Sequence, residues 1–88
     1  MAFRWNDWNL DHVPRHGVTP EEAEALVRNA RSPFPQYCGD GRWIVWGQGP
    51  NGRFLQAVFL IDDDGTNYII HARPLTERER KRLRRRQR

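Results

Sequence analysis

The sequence predicts an α+β protein in which two N-terminal helices pack on an antiparallel β-meander and a basic helix follows the sheet. Three observations support this fold class. Two capping-box motifs start helical segments, three glycine-containing turn signals divide the middle of the chain, and the segments between those turns are rich in β-branched and aromatic residues. At 88 residues the chain is expected to form one domain, residues 1–88, with a small aromatic-rich core.

The N-terminal part of the chain predicts two helices. A short helix is expected from Asn6 or Asp7 to His12, because Pro14 interrupts a helix at this point of the chain. The second covers residues 19–31 and opens with Thr19-Pro20-Glu21-Glu22, a capping box with proline at the first helical position. Behind this box the apolar residues recur with the spacing of one helical face: Ala23, Leu26, Val27 and Ala30.

The middle of the chain predicts an antiparallel meander. Three strands are expected, at residues 42–46, 53–61 and 66–73. Connections as short as the turns between them join antiparallel neighbours. A shorter edge strand is expected at 34–38, because prolines at 33 and 35 exclude it from the sheet centre, and residues 2–5 are a further candidate for a short strand.

Alternation along the last predicted strand places His71 and Arg73 on one face. With a strict period of two, this face also holds Asn67 and Ile69, and the opposite face is expected to pack on the core. The opposite face consists of Tyr68, Ile70 and Ala72. Arginine can neutralise a phosphate and histidine can transfer a proton near neutral pH. The alternative is that both residues are ordinary polar residues of a solvated sheet face.

A second group of candidate residues is His12, Arg15 and His16. The two histidines are four residues apart, as in helical metal pairs, but Pro14 lies between them and the sequence offers no clear third ligand. We therefore expect no metal site and no cofactor. These histidines have either a chemical role or a structural one, in which a histidine hydrogen bonds at the helix end.

Two other groups of residues have a structural and a functional interpretation. The aspartates at 62–64 could hold Mg²⁺, but together with Gly65 they fit an acidic hairpin turn better. The tryptophans could stack on nucleic-acid bases, although core packing is the more ordinary role. They are Trp5, Trp8, Trp43 and Trp46.

The segment from Thr76 to Arg88 carries most of the positive charge of this chain, whose net charge is +4. It opens with the capping box Thr76-Glu77-Arg78-Glu79 and contains one clear apolar residue, Leu83. Such a one-ended charge distribution indicates a polyanionic partner. Residues 84–88 have no apolar anchor and are expected to fray. The candidate phosphate contacts in this segment are Arg78, Lys81, Arg82, Arg84 and Arg85.

Cysteine content and hydropathy bear on the location of the protein. Cys38 is the only cysteine, which rules out a disulfide within the chain and favours a reducing compartment. No apolar run has the length of a membrane span, and the N-terminal residues lack the apolar region of a signal peptide. We therefore expect a cytoplasmic protein.

Three stretches of the sequence, taken together, resemble the BrnT-type toxins. They are FRWNDWNLDHVPRHGVTPEEAEAL, GRWIVWGQGPNGRFLQAVF and YIIHARPLTERER. The resemblance extends from Phe3 to about Arg82. Its most specific pieces, in chain order, are Arg15-His16-Gly17-Val18, Gly52-Arg53, Ala72-Arg73 and Glu79-Arg80.

This resemblance implies a RelE-like fold and a role as the toxin of a type II toxin–antitoxin module. Toxins of this type cleave RNA without a metal, by acid–base chemistry on the 2′-OH and the phosphate, and are held inactive by an antitoxin with a DNA-binding domain. The family's basic-His step maps onto Arg15 and His16, its arginine after the last strand onto Arg73, and its Glu-Arg pair onto Glu79 and Arg80. The chain departs from the family in having His71 where a small hydroxyl residue is usual. It also has Lys81-Arg82-Leu83 where an aromatic commonly follows the Glu-Arg pair.

The function expected from these observations is a metal-independent endoribonuclease that inhibits translation. His16 or His71 would act as general base or acid, and Arg15, Arg73 and Arg80 would stabilise the phosphate. The expected partners are RNA and an antitoxin, in a dimer or a hetero-oligomer. Two alternatives from other classes stay open: a non-catalytic nucleic-acid-binding module, and an interaction protein whose arginine-rich helix binds an acidic partner.

Overall fold

The computed structural model describes residues 1–87 and contains three α-helices, a 3-10 turn and a four-stranded antiparallel sheet. In chain order these elements are α1 (Asp7–His12), the 3-10 turn (Val13–His16), α2 (Pro20–Arg28), β1 (Gln36–Tyr37), β2 (Arg42–Gln48), β3 (Phe54–Ile61), β4 (Asn67–Pro74) and α3 (Glu77–Arg86). The strands lie in the order β1-β2-β3-β4, and each pairs antiparallel with its neighbour. The predicted α+β class, with helices before the meander and a basic helix after it, is confirmed.

Both predicted capping boxes are present. At the start of α2, Thr19 Oγ1 accepts a hydrogen bond from the Glu22 backbone N–H, and the Glu22 carboxylate accepts one from the Thr19 N–H, each at 3.1 Å. The same exchange joins Thr76 and Glu79 at the start of α3. Two of the four unsatisfied N–H groups at each helix start therefore have partners. Helix α2 ends at Arg28, three residues before the predicted end.

The sheet has a core face and an open face. The register places Val45, Ala57 and Ala72 side by side on the core face, which also holds Leu55, Phe59 and Ile69. Helix α2 packs on this face, and a Cβ at Gly47 would lie 3.3 Å from Leu26 Cδ1, so glycine permits the close approach of helix and sheet. The open face holds Ile44, Trp46, Gln56, Val58, Tyr68, His71 and Arg73.

A β-bulge in β4 changes the predicted alternation. His71 pairs with Val58 and Ile69 pairs with Phe59, so Ile70 has no partner in the ladder. The extra residue reverses the side-chain alternation on one side of the bulge. The prediction that Asn67 and Ile69 share a face with His71 and Arg73 was therefore wrong. Ile69 lies in the core with Ala72, and Tyr68 shares the open face with His71 and Arg73.

The two short strands expected at the edges are smaller than predicted. Residues 34–38 contribute only β1, whereas Phe34 is buried in the core. The N-terminal stretch 2–5 forms a single parallel bridge, between Phe3 and Asn67, beside β4. In the region that the structure describes, no helix is long and apolar enough to cross a membrane.

The C-terminal helix is more ordered than the sequence predicted. We expected residues 84–88 to fray, but α3 continues to Arg86, and the Gln87 side-chain amide donates to the carbonyl oxygens of Arg31 and Ser32. Leu83 is only 2% exposed. Three guanidinium groups of α3 also lie over aromatic rings, and cation–π contacts of this kind anchor a helix that has few apolar residues. The pairs are Arg80–Phe54, Arg82–Trp46 and Arg86–Phe34. Arg88 lies outside the described residues.

Candidate active site

Two histidines that are far apart in the sequence meet at the edge of the open face. His16 is the last residue of the 3-10 turn, which packs against β4. Gly17, with φ of 80°, ends the turn in the left-handed region that favours glycine. The imidazole ring of His16 lies edge-on to that of His71, with 5.3 Å between the ring centroids. At this separation both rings can reach the same phosphodiester group.

The surroundings of His71 favour its neutral form. Partial burial lowers the pKa of His71, and positive charge on His16 and Arg73 lowers it further. A neutral imidazole near pH 7 can accept a proton, as a general base requires. The open face around it includes the partly buried Ile44 and Val58, which are its neighbours across the sheet.

Arg73, two residues further along the open face, is held by Glu79 of α3. Its two terminal nitrogens donate to the two carboxylate oxygens of Glu79, each at 2.8 Å. They also donate to the Pro74 carbonyl oxygen at 3.1 Å and to Gln56 Oε1 at 3.2 Å. This geometry raises the pKa of Arg73 and lowers that of Glu79 to about 2. About 31% of the Arg73 side chain remains accessible at the surface.

A chain of hydrogen bonds extends from this ion pair across the sheet. Gln56 lies beside Arg73 on β3, and Trp46 lies beside Gln56 on β2. Trp46 Nε1 donates to Gln56 Oε1 at 2.9 Å, so this oxygen accepts from both Trp46 and Arg73. Because Trp46 and Gln56 are both buried, the orientation of Arg73 is fixed by residues from three strands and α3.

The structure places Arg15 and Arg80 at the margins of this site. Arg15 pairs with Asp11 at 2.7 Å on an exposed part of the helix surface. The Arg80 guanidinium lies 4.6 Å from the ring centroid of Phe54, which precedes Gln56 by two residues on the open face. Arg80 is therefore closer to the Arg73 end of the site than to the histidine pair.

His12 does not join the histidine pair. Its Nδ1 hydrogen bonds with the Trp8 carbonyl oxygen at 2.7 Å, and its ring stacks on the Trp8 indole with 4.0 Å between centroids. This is the structural role that the sequence left open for one histidine at the helix end.

The predicted RNA-binding residues lie on the exposed side of α3. Arg78, Lys81, Arg84 and Arg85 are exposed, and Arg82 reaches back over Trp46. Three of them, Arg78, Lys81 and Arg85, lie on the side of the helix opposite Leu83, because residues three and four apart share a face. We name these three the basic stripe. Its side chains project away from the core, where they are available to a polyanion.

The aspartates at 62–64 form the turn between β3 and β4, as predicted. Asp62 pairs with Arg4 at 2.8 Å, and Asp64 accepts a hydrogen bond from the Thr66 backbone N–H at 3.0 Å. Within residues 1–87, no three His, Cys, Asp or Glu side chains converge in a group that could hold a metal ion.

Sequence reasoning missed the roles of Gln56 and Tyr68 in this site. Gln56 lies in a strand that reads as apolar, and a buried polar residue at position 56 was the available signal. Tyr68 was assigned to the core because the bulge was not foreseen. Comparisons with protein-family models, with curated proteins and with solved structures gave no match for this chain.

Proposed function

We propose that this chain is a metal-independent endoribonuclease of RelE-like fold, the toxin of a type II toxin–antitoxin module of the BrnT type. The observation that carries this proposal is the pair of His16 and His71, whose rings lie 5.3 Å apart beside Arg73 on the open face. The resemblance of three sequence stretches to the BrnT-type toxins supports it. The basic stripe supplies the positive charge that an RNA substrate requires.

The proposed reaction is transfer of the phosphodiester to the neighbouring 2′-oxygen. Neutral His71 accepts the proton of the 2′-OH, and the 2′-oxygen attacks phosphorus. The bond from phosphorus to the 5′-oxygen breaks, and His16 donates a proton to that leaving oxygen. The products are a 2′,3′-cyclic phosphate and a 5′-hydroxyl end. Arg73 and Arg80 stabilise the additional negative charge that develops on the phosphate oxygens.

The arginines also favour a second candidate, a nucleic-acid-binding module without catalysis. Glu79 neutralises much of the charge of Arg73, and Asp11 does the same for Arg15. In a binding module the basic stripe would supply affinity and the histidine pair would be structural. Cleavage activity separates these candidates.

The test is cleavage of single-stranded RNA by purified protein in the presence of EDTA, with analysis of the product ends. We expect cyclic phosphate ends, and we expect His16→Ala and His71→Ala each to lower the rate by about 10²-fold or more. Arg28→Ala is the control, since Arg28 lies on α2 at the opposite side of the sheet. Activity that disappears in EDTA and returns with Mg²⁺ would contradict the metal-free mechanism. Binding without cleavage would favour the second candidate.

The proposed antitoxin is a protein with a DNA-binding domain and an acidic segment that covers the open face. Charge complementarity to the basic stripe and Arg80 would accelerate association at low salt. Growth arrest on expression of this chain, relieved by co-expression of the partner, tests the assignment to a toxin–antitoxin module. In hydrogen exchange, the complex should protect residues around His16 and His71. Unchanged exchange there would contradict inhibition by occlusion.

A further inference from the structure

Trp8 is unusual among the tryptophans of this chain because about 47% of it is exposed, whereas Trp46 is 9% exposed. Its indole is held in place, since His12 stacks against one face of it at an interplanar angle of 16°. With one face covered, the accessible area belongs to the other face and the ring edges. Trp8 thus presents a flat, fixed aromatic surface to solvent.

The position of Trp8 connects it to the candidate active site. Trp8, His12 and His16 succeed one another at intervals of four residues and form one ridge along α1 and the 3-10 turn. This ridge runs beside the open-face residues of β4. Trp8 lies 6.4 Å from the Tyr68 ring, and His16 lies 5.3 Å from the His71 ring. Eight residues separate Trp8 from His16, which corresponds to about 12 Å along a helix.

The neighbour of Trp8 on the sheet is also aromatic, cation-flanked and fixed in place. The Tyr68 hydroxyl donates to Asn6 Oδ1 at 3.0 Å. The Arg4 guanidinium lies 3.9 Å from the centroid of the Tyr68 ring and is itself paired with Asp62. An aromatic surface bordered by a guanidinium and continuous with a phosphate-binding site is the combination with which proteins bind single-stranded nucleic acid.

We propose that Trp8 is a nucleobase-stacking site, which binds the base of a nucleotide adjacent to the scissile phosphate in single-stranded RNA. The inference rests on the proposed function and adds the element that positions the substrate along the ridge from Trp8 to His16. The exposed indole face stacks on the base, and Arg4 lies near the path of the backbone. Stacking accepts any base, so this site contributes affinity and register with little sequence preference.

The test uses binding to a 2′-O-methyl oligoribonucleotide, which lacks the nucleophilic 2′-OH and stays intact. We expect Trp8→Ala to weaken binding by about 5- to 100-fold, the range for loss of one base–aromatic stack. Trp8→Phe should retain most of the affinity. Tyr37→Ala, another exposed aromatic but on the far edge strand, should bind as the unmodified protein does. Thermal melting of each variant verifies that it is folded.

Single abasic positions in the oligonucleotide provide the decisive comparison. One abasic position should weaken binding to the unmodified protein and have little further effect on Trp8→Ala, because the stacking partner is then already absent. If the unmodified protein binds RNA and Trp8→Ala binds it equally well, the stacking site is refuted while the proposed function stands. If Trp8→Ala instead weakens only a complex with a protein partner, Trp8 belongs to a protein-docking surface and the stacking site is likewise refuted. If the unmodified protein binds no RNA, both proposals fail.

Discussion

Glu79 joins Arg73 by two parallel hydrogen bonds and at the same time caps α3 by accepting from the Thr76 backbone N–H at 2.9 Å. One carboxylate therefore fixes both the start of the basic helix and the arginine of the candidate active site. Two-point pairing with a guanidinium is geometrically specific as well as strong. The orientation of the basic stripe relative to the open face depends on this contact.

Replacement of Glu79 should show this double role. We expect Glu79→Gln to lower the free energy of unfolding by about 2 kcal/mol, the scale of a hydrogen-bonded charged pair that is partly buried. Glu77→Gln is the matched control in the same helix, because Glu77 is 72% exposed and only 4.0 Å from Arg80. Its effect should stay under about 1 kcal/mol. Urea denaturation at pH 7 measures both, and equal effects would argue against a special role for Glu79.

The ion pair also predicts how stability depends on acid. The pKa of Glu79 is lowered from 4.5 to about 2 by Arg73, so folding favours the ionised carboxylate. The stabilisation is fully present above about pH 4.5 and is lost as the pH falls towards 2. The difference in unfolding free energy between the unmodified protein and Glu79→Gln should therefore shrink below pH 4.5. A difference that stays constant from about pH 7 to about pH 3 would contradict this assignment.

The pKa of His71 should respond to its neighbour. Burial, positive charge on His16 and positive charge on Arg73 all lower it, so we expect NMR titration to place it below 6.5. His16→Ala should raise it, because the variant removes a nearby positive charge and lets water reach the ring. The lowered pKa also means that protonation of His71 opposes folding, so its contribution is lost as the pH falls below 6.5. A titration midpoint that does not rise in His16→Ala would show that the rings are not coupled.

The basic stripe should act through charge alone. Replacing Arg78, Lys81 and Arg85 together by glutamine should leave the melting temperature nearly unchanged, because all three are exposed. The dependence of RNA affinity on salt should become shallower by about 0.7 per lost phosphate contact on a single strand. Leu83→Ala is the contrasting change, expected to lower the free energy of unfolding by about 2–4 kcal/mol through the cavity it leaves. An unchanged salt dependence in the glutamine variant would remove the stripe from the RNA interface.

Local signals in the sequence predicted the helix starts and the hairpins. The capping boxes at Thr19 and Thr76 involve residues within one turn, so the chain needs no distant partner to specify them. The box that Asn6 and Asn9 form at α1 was not predicted, because asparagine at both positions is a less common version of the motif. The bulge at Ile70 could not be predicted either, since register is set by the partner strand.

The candidate site was predictable in its residue types and not in its geometry. His16 and His71 were both identified, but their proximity depends on how the 3-10 turn packs against β4. The pairing of Arg73 with Glu79 spans the junction between a strand and a helix, where no periodicity applies. The order of α3 beyond Leu83 was missed because its anchors are guanidinium groups over distant aromatic rings.

The bulge in β4 leaves this strand with one residue more than its ladder uses. If Ile70 were deleted, the order Tyr68, Ile69, His71 would alternate strictly and keep each side chain on its present face. Since Ile69 and Ile70 are the same residue type, deletion of either gives the same chain. Deletion of Ala72 would have the opposite effect, because His71 and Arg73 would become adjacent and point to opposite faces. The chain can therefore shorten at the bulge while its histidine, arginine and tyrosine stay on one surface.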